Sequence, residues 1–185
     1  MTHHIDIRLR PDPDFASQTL MDALFSKLHR ALAHRGQGDV GVSFPGYDGY
    51  RLGTQMRLHG SADSLSQLME QAWLAGMLDH VIAGPIAQSP QGATHRVVRR
   101  VQAKSSPERL RRRQMRRHGL TAEQALERVP DSARETIRLP YLQLKSSSTA
   151  QAFRLFIDHG PLLEQAQPGH FGSYGLSDTA TVPWF

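Results

Sequence analysis

His3-His4-Ile5-Asp6-Ile7-Arg8-Leu9 opens the chain with Ile5, Ile7 and Leu9 alternating against polar neighbours, the period of a strand with one buried face. Pro11 and Pro13 end it. Ser17 is placed to cap a helix, and Leu20, Leu24, Leu28 and Leu32 then recur every fourth position. Met21 and Phe25 widen that stripe, so the spacing predicts an amphipathic helix over 17–35 that faces a core. Val40-Gly41-Val42-Ser43-Phe44 reads as a second strand and 54–59 as a third. A second helix is expected over 62–77, with Leu65, Leu68, Met69 and Trp73 on one side, and 80–88 carries the faintest strand signal. Strand, helix, strand, strand, helix, strand is the split βαβ, or ferredoxin-like, order.

Past this unit, Gln88 to Thr94, with Pro90 and Gly92, reads as a linker. A short extended stretch then leads into a block of arginines. Thr121-Ala122-Glu123-Gln124 spells a capping box that would start another helix. Strand-like segments at about 141–147, 152–158, 161–167 and 171–175 complete the chain. The expected class is α+β: a ferredoxin-like domain over 1–90, and a domain over 95–185 with an arginine-rich helix and a small antiparallel sheet.

The chain has 185 residues, 39% hydrophobic and 21% charged, which suits a folded domain or two rather than a disordered chain. No apolar run approaches the roughly 18 residues of a membrane span. The absence of cysteine excludes disulfides, cysteine-ligated zinc and thiol nucleophiles, and fits a cytoplasmic protein. Charge is concentrated. Ten of the 22 basic residues lie between 96 and 117 against one acid, Glu108, so that segment is +9 and the remainder −4. Such a block is a footprint for a polyanion.

Ser105-Ser106-Pro107-Glu108 makes a helix start. On a wheel of 100° per residue, Arg109, Arg112, Arg113, Arg116 and Arg117 then fall within an arc of about 140°. Leu110, Arg111, Gln114, Met115 and His118 take the rest. A solvated charged face usually mixes signs, and this one does not. Guanidinium forks suit bidentate contacts to phosphates and guanine edges, which DNA and RNA both offer.

Other signals are weaker. Gly36-Gln37-Gly38-Asp39-Val40-Gly41 spells G-x-G-x-x-G but follows a helix and precedes a strand, the reverse of a dinucleotide fold, and reads as a loop. The ten histidines show no H-x-x-x-H spacing, and no carboxylate cluster suggests a two-metal site. RNA carries its own nucleophile, the 2′-hydroxyl, and an imidazole titrating near neutrality suits its deprotonation. His29 sits at the border of the apolar stripe, where a histidine is more often structural or simply exposed. Ser146-Ser147-Ser148-Thr149 reads on its own as a polar turn, and Tyr174 as packing.

Taken together, several blocks carry a family likeness: Ile5-Asp6-Ile7-Arg8-Leu9-Arg10-Pro11, Leu24-Phe25-Ser26-Lys27-Leu28-His29-Arg30-Ala31-Leu32, the run from Arg100-Val101-Gln102 to Arg113, Phe153-Arg154-Leu155-Phe156-Ile157, His159-Gly160-Pro161-Leu162, Tyr174-Gly175-Leu176-Ser177 and Val182-Pro183-Trp184-Phe185. The chain resembles, end to end, the CRISPR precursor-RNA processing endoribonucleases of type I-F systems, which cut the repeat hairpin of the precursor transcript. The resemblance implies a metal-independent endoribonuclease with no cofactor, which stays on its cut RNA hairpin. Its implied partners are the CRISPR repeat RNA and the other subunits of a surveillance complex. It implies that the arginine helix enters the hairpin's major groove through Arg112, Arg113, Arg116 and Arg117, with His118 near its end; Arg109, on the same face of the wheel, is expected to bind RNA as well. Arg100 and Gln102 would read bases at the foot of the stem. His29 would be the catalytic base, Ser146 (or Ser147 or Ser148 of the same run) would act at the 2′-hydroxyl, and Tyr174 would orient the histidine. Ser148 would also touch RNA, and Phe153 would stack on a base beside the cut.

Overall fold

The computed structural model describes residues 1–102, 107–130, 137–146 and 149–185. By contact density they form two compact units, one of 1–101 with 139–185 and one of 102–138. The stretch expected as a linker, 88–94, runs between the two sheets of the first unit.

In the first unit, β1 (His3–Leu9) is central in the order β2-β3-β1-β4, with β2 at Gly41–Ser43, β3 at Gln55–Gly60 and β4 at Val81–Ala83. The pairs β1–β3, β1–β4 and β2–β3 are antiparallel. With α1 (Ser17–Arg35) and α2 (Ala62–Glu70) this is the ferredoxin-like arrangement. The alternation in β1 buries Ile5, Ile7 and Leu9, and the four-residue repeat in α1 buries Leu20, Leu24, Leu28 and Leu32. The apolar faces meet because burying them is the main force available.

Several boundaries moved. Ala16, not Ser17, is the N-cap of α1, and its side chain makes no cap bond. Asp12 takes the turn instead, accepting from Asp14 N and Phe15 N. The second helix ends at Glu70 rather than 77, since Ala72 and Gly76 take positive φ. Trp73, Leu74 and Met77 remain buried on the turns that follow, so burial survived where helical period did not. The stretch 80–88 is split by Gly84-Pro85 into β4 and β5 (Ala87–Gln88), both paired with β1.

A second antiparallel sheet follows in the order β7-β8-β6-β9, with β6 at Thr94–Val101, β7 at Tyr141–Lys145, β8 at Ala152–Leu163 and β9 at Thr181–Trp184. Here the strand expectations need correction. The segments 152–158 and 161–167 are largely one strand, β8, because a register shift opposite Arg96–Val98 carries it through Pro161. Residues 171–175 are a loop, and the final strand lies later. Pro183 hid β9 from the pattern, yet β9 is an edge strand, where a missing N–H is tolerated.

Both sheets share one core, which runs from Ile5 and Leu28 through Val98, Leu142 and Ile157 to Val182. Asp22 ties α1 to β7: its carboxylate accepts from Gln143 N at 3.0 Å and Gln18 Nε2 at 2.8 Å. Burial, against these bonds, raises its pKa. His159 stacks on Tyr47 at 4.2 Å and meets the rings of Phe44 and Trp184 edge-on. Burial, then the charge of Arg96, lowers its pKa to about 4.

In the second unit, α3 (Pro107–His118) and α4 (Ala122–Arg128) pack on each other. Gly119, at φ +64°, closes α3 with its N–H on Met115 O. The Thr121–Gln124 capping box forms as expected. Ser105 and Ser106, the expected cap of α3, lie outside the described residues.

Candidate functional site

His29 sits on α1, half-buried, seven residues beyond Asp22. Its Nδ1 lies 2.9 Å from Ser173 O. A carbonyl oxygen can only accept, so Nδ1 donates and Nε2 is left as the acceptor. The imidazole stacks on Tyr174 at 4.0 Å and 11°. Phe25, one turn earlier on α1, lies parallel to the same ring at 6.2 Å. Ring face, carbonyl and helix together fix the position and tautomer of His29.

The loop that supplies both partners is anchored at several points. Phe171 N donates to Gly38 O, Val42 N to Gly175 O at 2.8 Å, and Ser177 N to Val98 O at 3.0 Å. Gly175 has φ +67°, and a Cβ there would stand 2.4 Å from Val42 Cγ2. Only glycine lets the loop come this close to β2.

Arg100 of β6 places its guanidinium carbon 5.6 Å from the Tyr174 ring and 5.8 Å from that of Phe153. Its Nε is buried without a hydrogen-bond partner. Both rings lie within the reach at which an aromatic face attracts a cation. The structure thus brings His29, Tyr174, Arg100 and Phe153 together from four distant stretches of sequence. Ser146 lies at the start of the β7–β8 turn, where its N–H bonds Gln151 O and its Oγ accepts from Thr149 N at 3.3 Å. Ser147 and Ser148 fall outside the described residues. Ser173 was not foreseen. Its backbone oxygen does the work, so its side chain carries no signal.

In the second unit, the helical wheel is realised. Arg109, Arg112, Arg113, Arg116, Arg117 and His118 are exposed, while Leu110, Arg111 and Gln114 are half-buried. The five arginines together line one concavity of about 440 Å³. Arg111, on the other side, donates from Nε to Val129 O at 2.7 Å. Gln102, also in this unit, is exposed. Among the described residues, no three His, Asp or Glu side chains gather in a way that could hold a metal ion. None of their helices is long and apolar enough to cross a membrane.

Residues 4–185 match the model of a family described as CRISPR-associated protein (Cas_Csy4). The chain belongs to the Csy4 family of CRISPR-associated proteins. It is similar over the full length of both chains to a CRISPR-associated endonuclease Cas6/Csy4 of Pseudomonas aeruginosa (strain UCBPP-PA14), at 52% identity. Another full-length relative, from Escherichia coli (strain UTI89 / UPEC), is 50% identical and carries the same description. Membership in the Csy4 family covers both the His29 cluster and the arginine helix, since the match spans both units.

Proposed function

We propose that this chain is a metal-independent endoribonuclease that binds the stem-loop of a CRISPR repeat and cuts the precursor transcript at its foot. The observation that carries the reading is the His29–Ser173 bond, which leaves Nε2 as a fixed acceptor. His29 Nε2 takes the proton of the 2′-hydroxyl, and Ser146 positions that hydroxyl. The oxygen bonds to the adjacent phosphorus as the bond from phosphorus to the 5′-oxygen breaks, giving a 2′,3′-cyclic phosphate. The departing oxygen takes a proton from solvent and becomes a 5′-hydroxyl. Tyr174 holds the imidazole plane, and Phe153 stacks on the base beside the cut. Arg100 and Gln102 read base edges. Arg109, Arg112, Arg113, Arg116 and Arg117 grip the hairpin, with His118 and Ser148 as further contacts. This division of labour assigns 1–90 to a ferredoxin-like domain and 95–185 to RNA binding. It leaves the cut hairpin bound and available to the other subunits of a surveillance complex.

The test uses the host's repeat hairpin in excess EDTA, beside the same RNA with a 2′-deoxy sugar just upstream of the cut. Cleavage of the all-RNA substrate alone, with both bound equally, is expected. Tight binding with neither RNA cut would instead mark a non-cutting RNA-binding subunit. Cleavage lost only in EDTA would overturn the metal-free chemistry.

A further inference from the structure

Behind Ser173 lies a cavity of about 270 Å³ that no step above uses. Its walls include Ala33 of α1, Gln37 and Asp39 of the loop after it, and His170, Phe171 and Ser173. This is the loop whose glycine spacing resembles a phosphate-binding motif without its context. In the fold those glycines shape a hollow. Gly36 and Gly38 both take positive φ, and a Cβ on Gly38 would stand 3.0 Å from Phe171 O. A backbone bond of 3.0 Å from Phe171 N to Gly38 O seals the two loops together.

The charge in the walls is largely spent. Arg35 donates to Ser64 O at 3.1 Å, and also to Asp39, Gln37 and Gln67. A phosphate would meet the Asp39 carboxylate with the nearest cation already paired. A neutral, flat group with amino and carbonyl edges suits the site better: Asp39 accepts, Gln37 and His170 offer exposed donors or acceptors, and Phe171 lends an apolar wall. The volume is at the small end for ligand sites, which fits one base rather than a longer segment.

Position supplies the rest. Phe153, Arg100, Tyr174 with His29, and Ser173 form a chain of contacts that ends at the cavity wall. If the base upstream of the cut lies at Phe153 and Arg100, a strand that passes His29 continues toward this hollow. We propose that the cavity takes the base of the unpaired nucleotide immediately 3′ of the cut, and so contributes to choosing where the transcript is cleaved. This rests on the cleavage reading given above.

The experiment compares the host repeat hairpin carrying a normal nucleotide 3′ of the cut with one made abasic there, at subsaturating protein. The wild-type protein is expected to cut the abasic RNA roughly tenfold more slowly. Ala33→Phe, which fills the hollow from an exposed helix position, should cut both RNAs at the slower rate. His170→Ala should narrow the difference without a bulkier side chain. Equal cleavage of both RNAs by the wild-type protein, or an undiminished difference in both variants, overturns the subsite while the cleavage reading stands. Cleavage of neither RNA by the wild-type protein removes both.

Discussion

His29 meets Ser173 across 144 positions of sequence, whereas Arg111 finds Val129 only 18 positions away. The two regions that carry the proposed function are built differently. Around His29, each functional group is held by something from elsewhere in the chain: a carbonyl, an aromatic face, a glycine pressed on a valine. On α3 five arginines, Arg109, Arg112, Arg113, Arg116 and Arg117, stand exposed along one face of a short helix, and what brings them to that face is their spacing. Proton transfer demands a base placed to within a fraction of an ångström. Polyanion binding demands charge in the right place to within a side chain's reach. The difference teaches where each kind of damage should show: in the rate for the packed site, in affinity and salt dependence for the helix.

The sharpest break comes from His29→Ala. Single-turnover cleavage should fall by about 10²–10⁴, while affinity for the uncleavable 2′-deoxy hairpin, measured by filter binding, stays near wild type. A loss of affinity with an unchanged rate would erase the distinction between the two regions.

Next in size is an acid effect confined to the packed unit. His159 is 7% exposed and titrates at about 4, against an ordinary value near 6.5. As pH falls from 6.5 toward 4, the unfolded chain takes up a proton that the folded one refuses. Stability present above 6.5 is therefore lost over that window, by about 3 kcal/mol. Urea unfolding at pH 7 and pH 4 should show a loss of at least this size, because burial also holds the fully buried His59 well below its ordinary value and lowers His4; His159→Phe should remove the share of His159 and leave theirs. Equal acid sensitivity in that variant would mean His159 is not the group responsible.

Gly175→Ala tests the loop. The forced φ and the 2.4 Å approach to Val42 should cost about 2 kcal/mol. That lowers Tm by roughly 5 °C and slows cleavage by moving Tyr174. A wild-type Tm and rate would show that the loop tolerates what its geometry forbids.

Smallest per residue are the helix substitutions. Arg112→Ala or Arg116→Ala should weaken hairpin binding roughly fivefold to tenfold at low salt and reduce the slope of log K against log salt by about 1. Cleavage of RNA already bound should be unaffected. An unchanged slope would remove α3 from the RNA interface.

Much of this was legible in the sequence, and unevenly so. The period of two in 3–9 and of about four in 17–35 predicted β1 and α1, because each pattern has one geometry that buries it. The arginine face needed only the helical repeat. Less was legible wherever burial and period part company. Trp73, Leu74 and Met77 are buried without a helix, and Pro183 joins a strand because that strand is an edge. The loop 171–175 was misread as a strand because its apolar residues, Phe171 and Tyr174, pack individually rather than in register. His29 and Ser146 carried no distinguishing signal of their own. They stood out through family likeness, and chemistry alone would have left His29 as one histidine among ten.

By itself, then, the sequence determined local things: the strand and helix periods, the capping box at Thr121, and the single-signed arginine face, all consequences of neighbours within a few residues. Only the tertiary structure decided which nitrogen of His29 meets Ser173 O, that Arg100 lies within about 6 Å of the Phe153 and Tyr174 rings, and that a hollow opens behind Ser173. The physical reason is that a carbonyl's aim, a ring's face and a cavity's walls are properties of groups brought together across the fold, and no stretch of sequence contains them.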